Sequence, residues 1–248
     1  MNMSPAKIKK ALFGIVISII LIAPLSAANQ VTVLCYHSFL GTRKFSIDFS
    51  IEQLRTQMEI LKESGYRFVS YDELFLYPLK GNKNVLITLD DGHFTHWKAY
   101  QEVFKPMGIK PLIAVYPSII SRSRYALTWD QLKTMHSEGC TIAAHGYTHY
   151  RLDDYFYRRH PKQFFKEIYR PKLKMARELG FPITVFVYPF GARGELTRQT
   201  VKKAGYEYAF QLGAQNVILP LQNNSDRYDL PRFMMTQYNW KSIFKGMM

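Results

Sequence analysis

Two short clusters of titratable side chains stand at the ends of apolar runs. Val85 to Leu89 leads directly into Asp90-Asp91-Gly92, and Cys140 to Ala144 leads into His145-Gly146-Tyr147-Thr148-His149. Adjacent carboxylates repel one another, and taken alone they also read as a turn or a helix cap. A His-x3-His spacing brings both rings to one side if it lies on a helical turn, where residues i and i+4 are neighbours. Two imidazoles and one carboxylate make a three-ligand metal site with a position open to water, as a hydrolytic zinc centre requires. The second carboxylate is then free to take a proton from that water. Zinc suits this donor set best, while cobalt, nickel or iron can use the same ligands.

Both clusters need a scaffold that aims strand ends at one place. Short β-branched runs occur at Val31 to Tyr36, Val85 to Leu89, Pro111 to Val115, Cys140 to Ala144, Ile183 to Tyr188 and Tyr206 to Leu212, with amphipathic stretches between them. Such alternation predicts a parallel sheet. Ser50 with Gln53 and Thr128 with Gln131 have capping-box spacing, and Gly65, Gly139, Gly180 and Gly205 stand where helices should stop. About seven strands with intervening helices fit a (β/α) barrel better than an open Rossmann sheet, and in such barrels the chemistry sits at the C-terminal strand ends. No glycine-rich phosphate loop follows any strand.

These residues resemble a known family. Thr88-Leu89-Asp90-Asp91-Gly92 is similar to the first NodB-homology motif of the polysaccharide deacetylases, carbohydrate esterase family 4, and His145 to His149 is similar to the second. The resemblance runs from about residue 30 to 235 and implies a distorted, NodB-type barrel. It implies Asp90 as the general base and Asp91, His145 and His149 as ligands of a divalent metal. Tyr188-Pro189-Phe190-Gly191 resembles the third motif, which implies that the Phe190 amide holds the tetrahedral oxyanion. Many members carry an arginine two residues before this proline; here that position is Val187. Leu230-Pro231-Arg232 offers a guanidinium from a later strand, a form seen in the branch that deacetylates poly-N-acetylglucosamine. The alternative for Arg232 is a surface pair with Asp226 or Asp229. The family's usual C-terminal histidine is missing, since none follows His160. Leu34-Cys35-Tyr36-His37 resembles the same branch, in which the first strand supplies the general acid, and this implies His37 for that role.

The remaining histidines read as supporting residues. His93 and His96 would crowd one short loop with Asp91 and are expected at the rim or in the packing, and His136 and His160 should face solvent. Tyr150 to Arg177 interleaves nine Lys/Arg and three Asp/Glu with six Phe/Tyr beyond Tyr150. Two readings stay open for it: sugar stacking with attraction to an anionic envelope surface, or an amphipathic helix with a solvated basic face.

At 248 residues with 47% hydrophobic content, the chain can bury a large core, which excludes disorder and collagen. Lys7, Lys9 and Lys10 precede an uncharged apolar run from Ala11 to Leu25, and Ser26-Ala27-Ala28 follow. That is the layout of a secretory signal over residues 1–28, leaving a deacetylase-like domain over 29–248. An uncleaved membrane anchor is the other reading. Three of the 33 basic residues and none of the 19 acids lie in that segment, so a net charge of +14 becomes +11. Export to a periplasmic, extracellular or cell-surface location disfavours nucleic acid as a partner and favours the anionic envelope; an N-acetylated polysaccharide is the partner that the resemblance implies. Cys35 and Cys140 read as buried thiols, with a single bridge as the alternative that an oxidising compartment allows. The resemblance thus implies removal of N-acetyl groups from N-acetylglucosamine units of a polymer. Its rivals are deacetylation of peptidoglycan or chitin-like oligomers, ester cleavage on xylan, and a barrel that binds glycans without turnover.

Overall fold

The computed structural model describes residues 29–42, 44–75 and 78–248. The expected export segment lies outside the described residues. Among the described residues no helix is long and apolar enough to cross a membrane.

Six parallel strands form the body of the sheet. They are β1 (Gln30–Tyr36), β3 (Asn84–Leu89), β4 (Leu112–Val115), β5 (Thr141–Ala144), β6 (Val185–Val187) and β7 (Tyr208–Phe210), adjacent in the order β1-β3-β4-β5-β6-β7. Three further strands of two residues each, β2 (Arg67–Phe68), β8 (Val217–Ile218) and β9 (Phe233–Met234), bring the sheet to nine. The sequence missed these three because two residues carry no periodicity to read. β8 pairs with the start of β1 in the antiparallel sense, and β9 pairs in parallel with Leu34 and Cys35 farther along it. Leu230, just ahead of β9, bridges Phe210 in parallel, and Gln211 N–H donates to the Leu230 carbonyl at 2.9 Å. One segment near the end of the chain therefore joins β7 to β1, which curls the sheet into the distorted barrel.

Side-chain alternation along the strands divides the core in two. Leu34, Tyr36, Ile87, Leu89, Ile113 and Phe186 pack against the helices, with Leu54, Met58, Leu132, Ile168 and Val201 on the other side of that layer. Val31, Val33, Leu86, Leu112, Ala143 and Val187 fill the face turned away from them. Extending that inward set by steps of two reaches Cys35 and His37 on the first strand, Thr88 and Asp90 on the third, and His145 after the fifth. The alternation that fills the barrel also delivers its chemistry.

The helices begin and end where their signals stand. α1 (Ile51–Glu63) and α3 (Trp129–Ser137) both start with formed capping boxes at Ser50 and Thr128. α2 (Thr95–Ala99) runs on into a π-turn over Tyr100–Phe104, and α4 (Asp154–Arg159), α5 (Pro161–Leu179), α6 (Glu195–Lys203) and α7 (Trp240–Met247) complete the set. Gly180 closes α5 with φ 87°, a left-handed conformation that glycine adopts without strain. Cys35 and Cys140 are both free and buried.

Candidate active site

The parallel register of β1 and β3 sets Tyr36 opposite Leu89, so His37 and Asp90 emerge side by side. The Asp90 N–H donates to the Tyr36 carbonyl at 2.9 Å, extending the ladder by one bond. Asp90 is buried, and its carboxylate meets Arg232 in a two-pronged pair, Nη1 to Oδ1 at 2.7 Å and Nη2 to Oδ2 at 2.8 Å. Arg232 is fully buried and also donates to Thr88 Oγ1 and to the Gln211 carbonyl. The surface alternative for this arginine is thereby excluded; Asp226 and Asp229 pair with Arg193 and Arg198 instead. Burial alone would push the Asp90 carboxyl up, but Arg232 and then His145 hold it well below the usual carboxylate range. Burial pushes the Cys35 thiol well up, so it keeps its proton and donates to Asp90 Oδ2 at 3.4 Å.

Asp91, His145 and His149 meet beside that pair. Asp91 Oδ1 lies 3.0 Å from His149 Nε2 and 3.5 Å from His145 Nε2, and the two ring nitrogens are 3.2 Å apart. The His-x3-His segment is a loop and not the helical turn expected from its spacing. Gly146 (φ 71°) and His149 (φ 67°) both take left-handed backbone, which turns the second ring back over the first. A Cβ on Gly146 would stand 3.0 Å from Glu167 Oε2 and 3.2 Å from Pro189 Cγ. The loop is fixed by Glu167, buried on α5, whose carboxylate accepts from the Tyr147 and Thr148 N–H groups, both at 2.8 Å, and from the Thr148 hydroxyl. Sequence reading passed over Glu167, because nothing in its spacing separates it from a solvated helix acid.

The donor set fits a divalent cation. The His145 Nδ1–H donates to the Val187 carbonyl at 2.8 Å, which leaves Nε2 as a lone pair facing the cluster. Asp91 Oδ1 is buried with no hydrogen-bond partner. Lone pairs this close repel unless positive charge sits among them. Burial lowers the His145 pKa, yet the carboxylates of Asp90 and Asp91 outweigh it and raise it. Ligand bonds of about 2.0–2.1 Å place tetrahedral donors about 3.3 Å apart, close to the three separations found.

His37 is half-buried, and its buried Nδ1 has no partner. Donor atoms of Cys35, His37 and Asp90 lie within 4.8 Å of one another. Burial pushes the His37 imidazole below its ordinary value against the pull of Asp90 and Asp91. His96, expected as a rim or packing residue, is fully buried, and its Nε2 hydrogen-bonds the His37 carbonyl. Phe190 has φ 59° in the turn after β6 and an exposed ring 4.6 Å from that of His149. Its N–H stands outside the bonds of that turn, in which Gly191 donates to Tyr188 and Ala192 to Pro189. Tyr116, at the end of β4, covers His149 from another side at 5.0 Å between ring centroids. His136 is not solvent-facing as expected: it stacks on Phe181 at 3.6 Å and bonds the Cys140 carbonyl, whereas His160 is exposed.

A strand-end aspartate pair and a histidine loop meeting at one end of a parallel barrel are the features that the sequence resemblance required. The family model for polysaccharide deacetylase matches residues 79–209, more than half of the chain. The chain belongs to the polysaccharide deacetylase family. YxkH of Bacillus subtilis, assigned to polysaccharide deacetylases, is 26% identical over 182 residues, which cover 72% of this chain and 63% of YxkH. The chain thus spans less than two thirds of that relative. Among solved structures, IcaB from Ammonifex degensii superposes with a TM-score of 0.74 at 23% identity, covering 89% of this chain and 97% of that one. The Streptococcus pyogenes deacetylase PplD, solved with acetate, gives 0.76 at 18% identity over 90% and 99%. A de-N-acetylase from Aggregatibacter actinomycetemcomitans gives 0.73 at 20% identity over 88% and 100%. At these identities they share the polysaccharide deacetylase fold with this chain.

Proposed function

We propose that the chain is an exported, metal-dependent deacetylase that removes N-acetyl groups from N-acetylglucosamine units of a poly-N-acetylglucosamine-like polysaccharide. The observation that carries this reading is the meeting of Asp91, His145 and His149 next to a second carboxylate, Asp90, held ionised by Arg232. Asp91, His145 and His149 would hold the metal, zinc by preference, with cobalt, nickel or iron accepted by the same ligands. When bound, that cation supplies Lewis acidity, polarising the acetyl carbonyl and making water acidic enough to attack at neutral pH.

The chain's own groups do the rest. Asp90 accepts the proton of the attacking water, and the two-pronged bond from Arg232 fixes the plane of its carboxylate. The Phe190 N–H donates to the oxyanion that forms on the acetyl carbon. His37 protonates the departing nitrogen. Because burial favours its neutral form, His37 gains that proton during the reaction, and Asp90 within 4.8 Å is the nearest group that has just received one. Acetate and a glucosamine unit result. The name of the Aggregatibacter neighbour, a de-N-acetylase, supports amide over ester chemistry. Export is supported by the layout of residues 1–28.

Acetate release from a defined N-acetylglucosamine oligomer, measured with elemental analysis of the same preparation, tests the reading. Asp90→Ala should lose about 100-fold or more of the release rate while keeping its metal. Unchanged release in that variant refutes the assignment of Asp90 as base.

A further inference from the structure

On the flank of the barrel, apart from the Asp91–His145–His149 cluster, lies a hollow of about 510 Å³ framed by Arg122, Tyr147, Arg170, Leu173, Lys174 and Arg177. Its four cations come from two distant parts of the chain. Arg170, Lys174 and Arg177 stand at i, i+4 and i+7 along α5 and share one face, and Arg122 meets them from the loop after β4. The Arg170 guanidinium lies over the Tyr147 ring at 4.1 Å, so the hollow adjoins the loop that carries both histidines.

Gathering like charges costs free energy unless something of opposite sign shares the space. Glu178 takes Lys174 at 3.0 Å and Arg177 at 3.2 Å. Arg122 and Arg170 make no ion pair among the described residues. Glu167, the other acid of this helix, is turned inward to the Tyr147 and Thr148 amides. A neutral acetylated sugar gains nothing from these cations, and a deacetylated product bearing ammonium is repelled by them. Their electrostatic use is toward an anion alone. Three guanidinium forks and an ammonium around one hollow match a phosphate group, whose tetrahedral oxygens accept from several such donors at once.

We propose that this hollow binds a phosphate-type group carried on the polymer whose acetamides enter the neighbouring cleft. The inference rests on the deacetylase reading above and narrows its substrate to glycans bearing such groups.

Equilibrium binding to the purified full chain tests it with three probes: soluble poly(glycerol phosphate), inorganic phosphate, and phosphatidylglycerol vesicles. Arg122→Gln/Arg170→Gln should weaken poly(glycerol phosphate) binding by about tenfold or more, with the melting temperature unchanged. Arg158→Gln/Arg159→Gln, which removes equal charge from α4, should change it by less than about twofold, as expected of diffuse surface charge. If the first double variant melts early, Arg122→Gln alone carries the test with about a threefold loss. Equal losses in the two double variants, no binding of either soluble probe, or binding confined to vesicles overturns the proposal. Acetate release from a neutral N-acetylglucosamine oligomer separates the two claims. Release without anion binding overturns the hollow alone, and anion binding without release overturns the deacetylase reading.

Discussion

Arg232 and Asp90, 142 positions apart in sequence, hold each other through two parallel hydrogen bonds of 2.7 and 2.8 Å with both side chains removed from water. Breaking such a pair from one side leaves an uncompensated buried charge. Arg232→Met should therefore cost about 3–5 kcal/mol of stability, and chemical denaturation measures it. Because the folded pKa of Asp90 lies below its unfolded value, its contribution is fully present above about pH 4 and is lost as pH falls through the folded value. Without the guanidinium, burial dominates and the Asp90 carboxyl rises. The acid limb of the rate profile should then move upward by about one pH unit or more. Arg232→Lys keeps charge but not the fork, and should fall between the two. A pH profile identical to that of the unmutated protein would remove Arg232 from any part in holding Asp90 ionised.

His37→Ala distinguishes a proton donor from a packing residue. Loss of a general acid should slow amide cleavage by about 100-fold or more, while an activated ester, whose leaving group needs little protonation, loses far less. Parallel rate assays on both substrates decide this, and equal losses count against the acid role.

Glu167 makes no contact with the metal-ligand candidates, yet it anchors the backbone between them through Tyr147 and Thr148. Glu167→Ala leaves the Tyr147 and Thr148 N–H groups without their acceptor. Metal affinity, read by competition with a chelator, should fall by about 10- to 100-fold. Affinity within twofold of the parent protein would show that the loop holds its form unaided.

Thiol labelling checks the cysteines. Burial pushes Cys140 up to about 12 and holds Cys35 well above its ordinary value, so neither thiol should react with a maleimide in the folded protein. Denaturation should expose two reactive groups per chain without a reductant. Fast labelling of Cys35 in the native state would mean that water reaches the back of Asp90.

Much of this site was legible because parallel strands write their inward faces in steps of two. That rule, with the turn residues that follow each strand, brings His37, Asp90 and His145 to one end of the barrel before any contact is known. The geometry of the His145–His149 loop was not legible. Its i, i+4 spacing suggested a helical turn, whereas left-handed backbone at Gly146 and His149 makes the approach instead. Glu167 and the Val187 carbonyl were equally hidden: one looks like any helix acid, and the other is a backbone group that every residue possesses. Arg232 was found as a candidate, but its burial depended on β9, too short for periodicity to reveal.

The segment from Arg227 to Met235 is the last to enter the sheet, bonding to β7 on one side and to β1 on the other. It is also the stretch that brings Arg232. A nascent chain that has emerged only as far as residue 225 holds every metal-ligand candidate but lacks the counter-ion for Asp90. Ionisation of Asp90 is in this way tied to the docking of the last strand of the sheet.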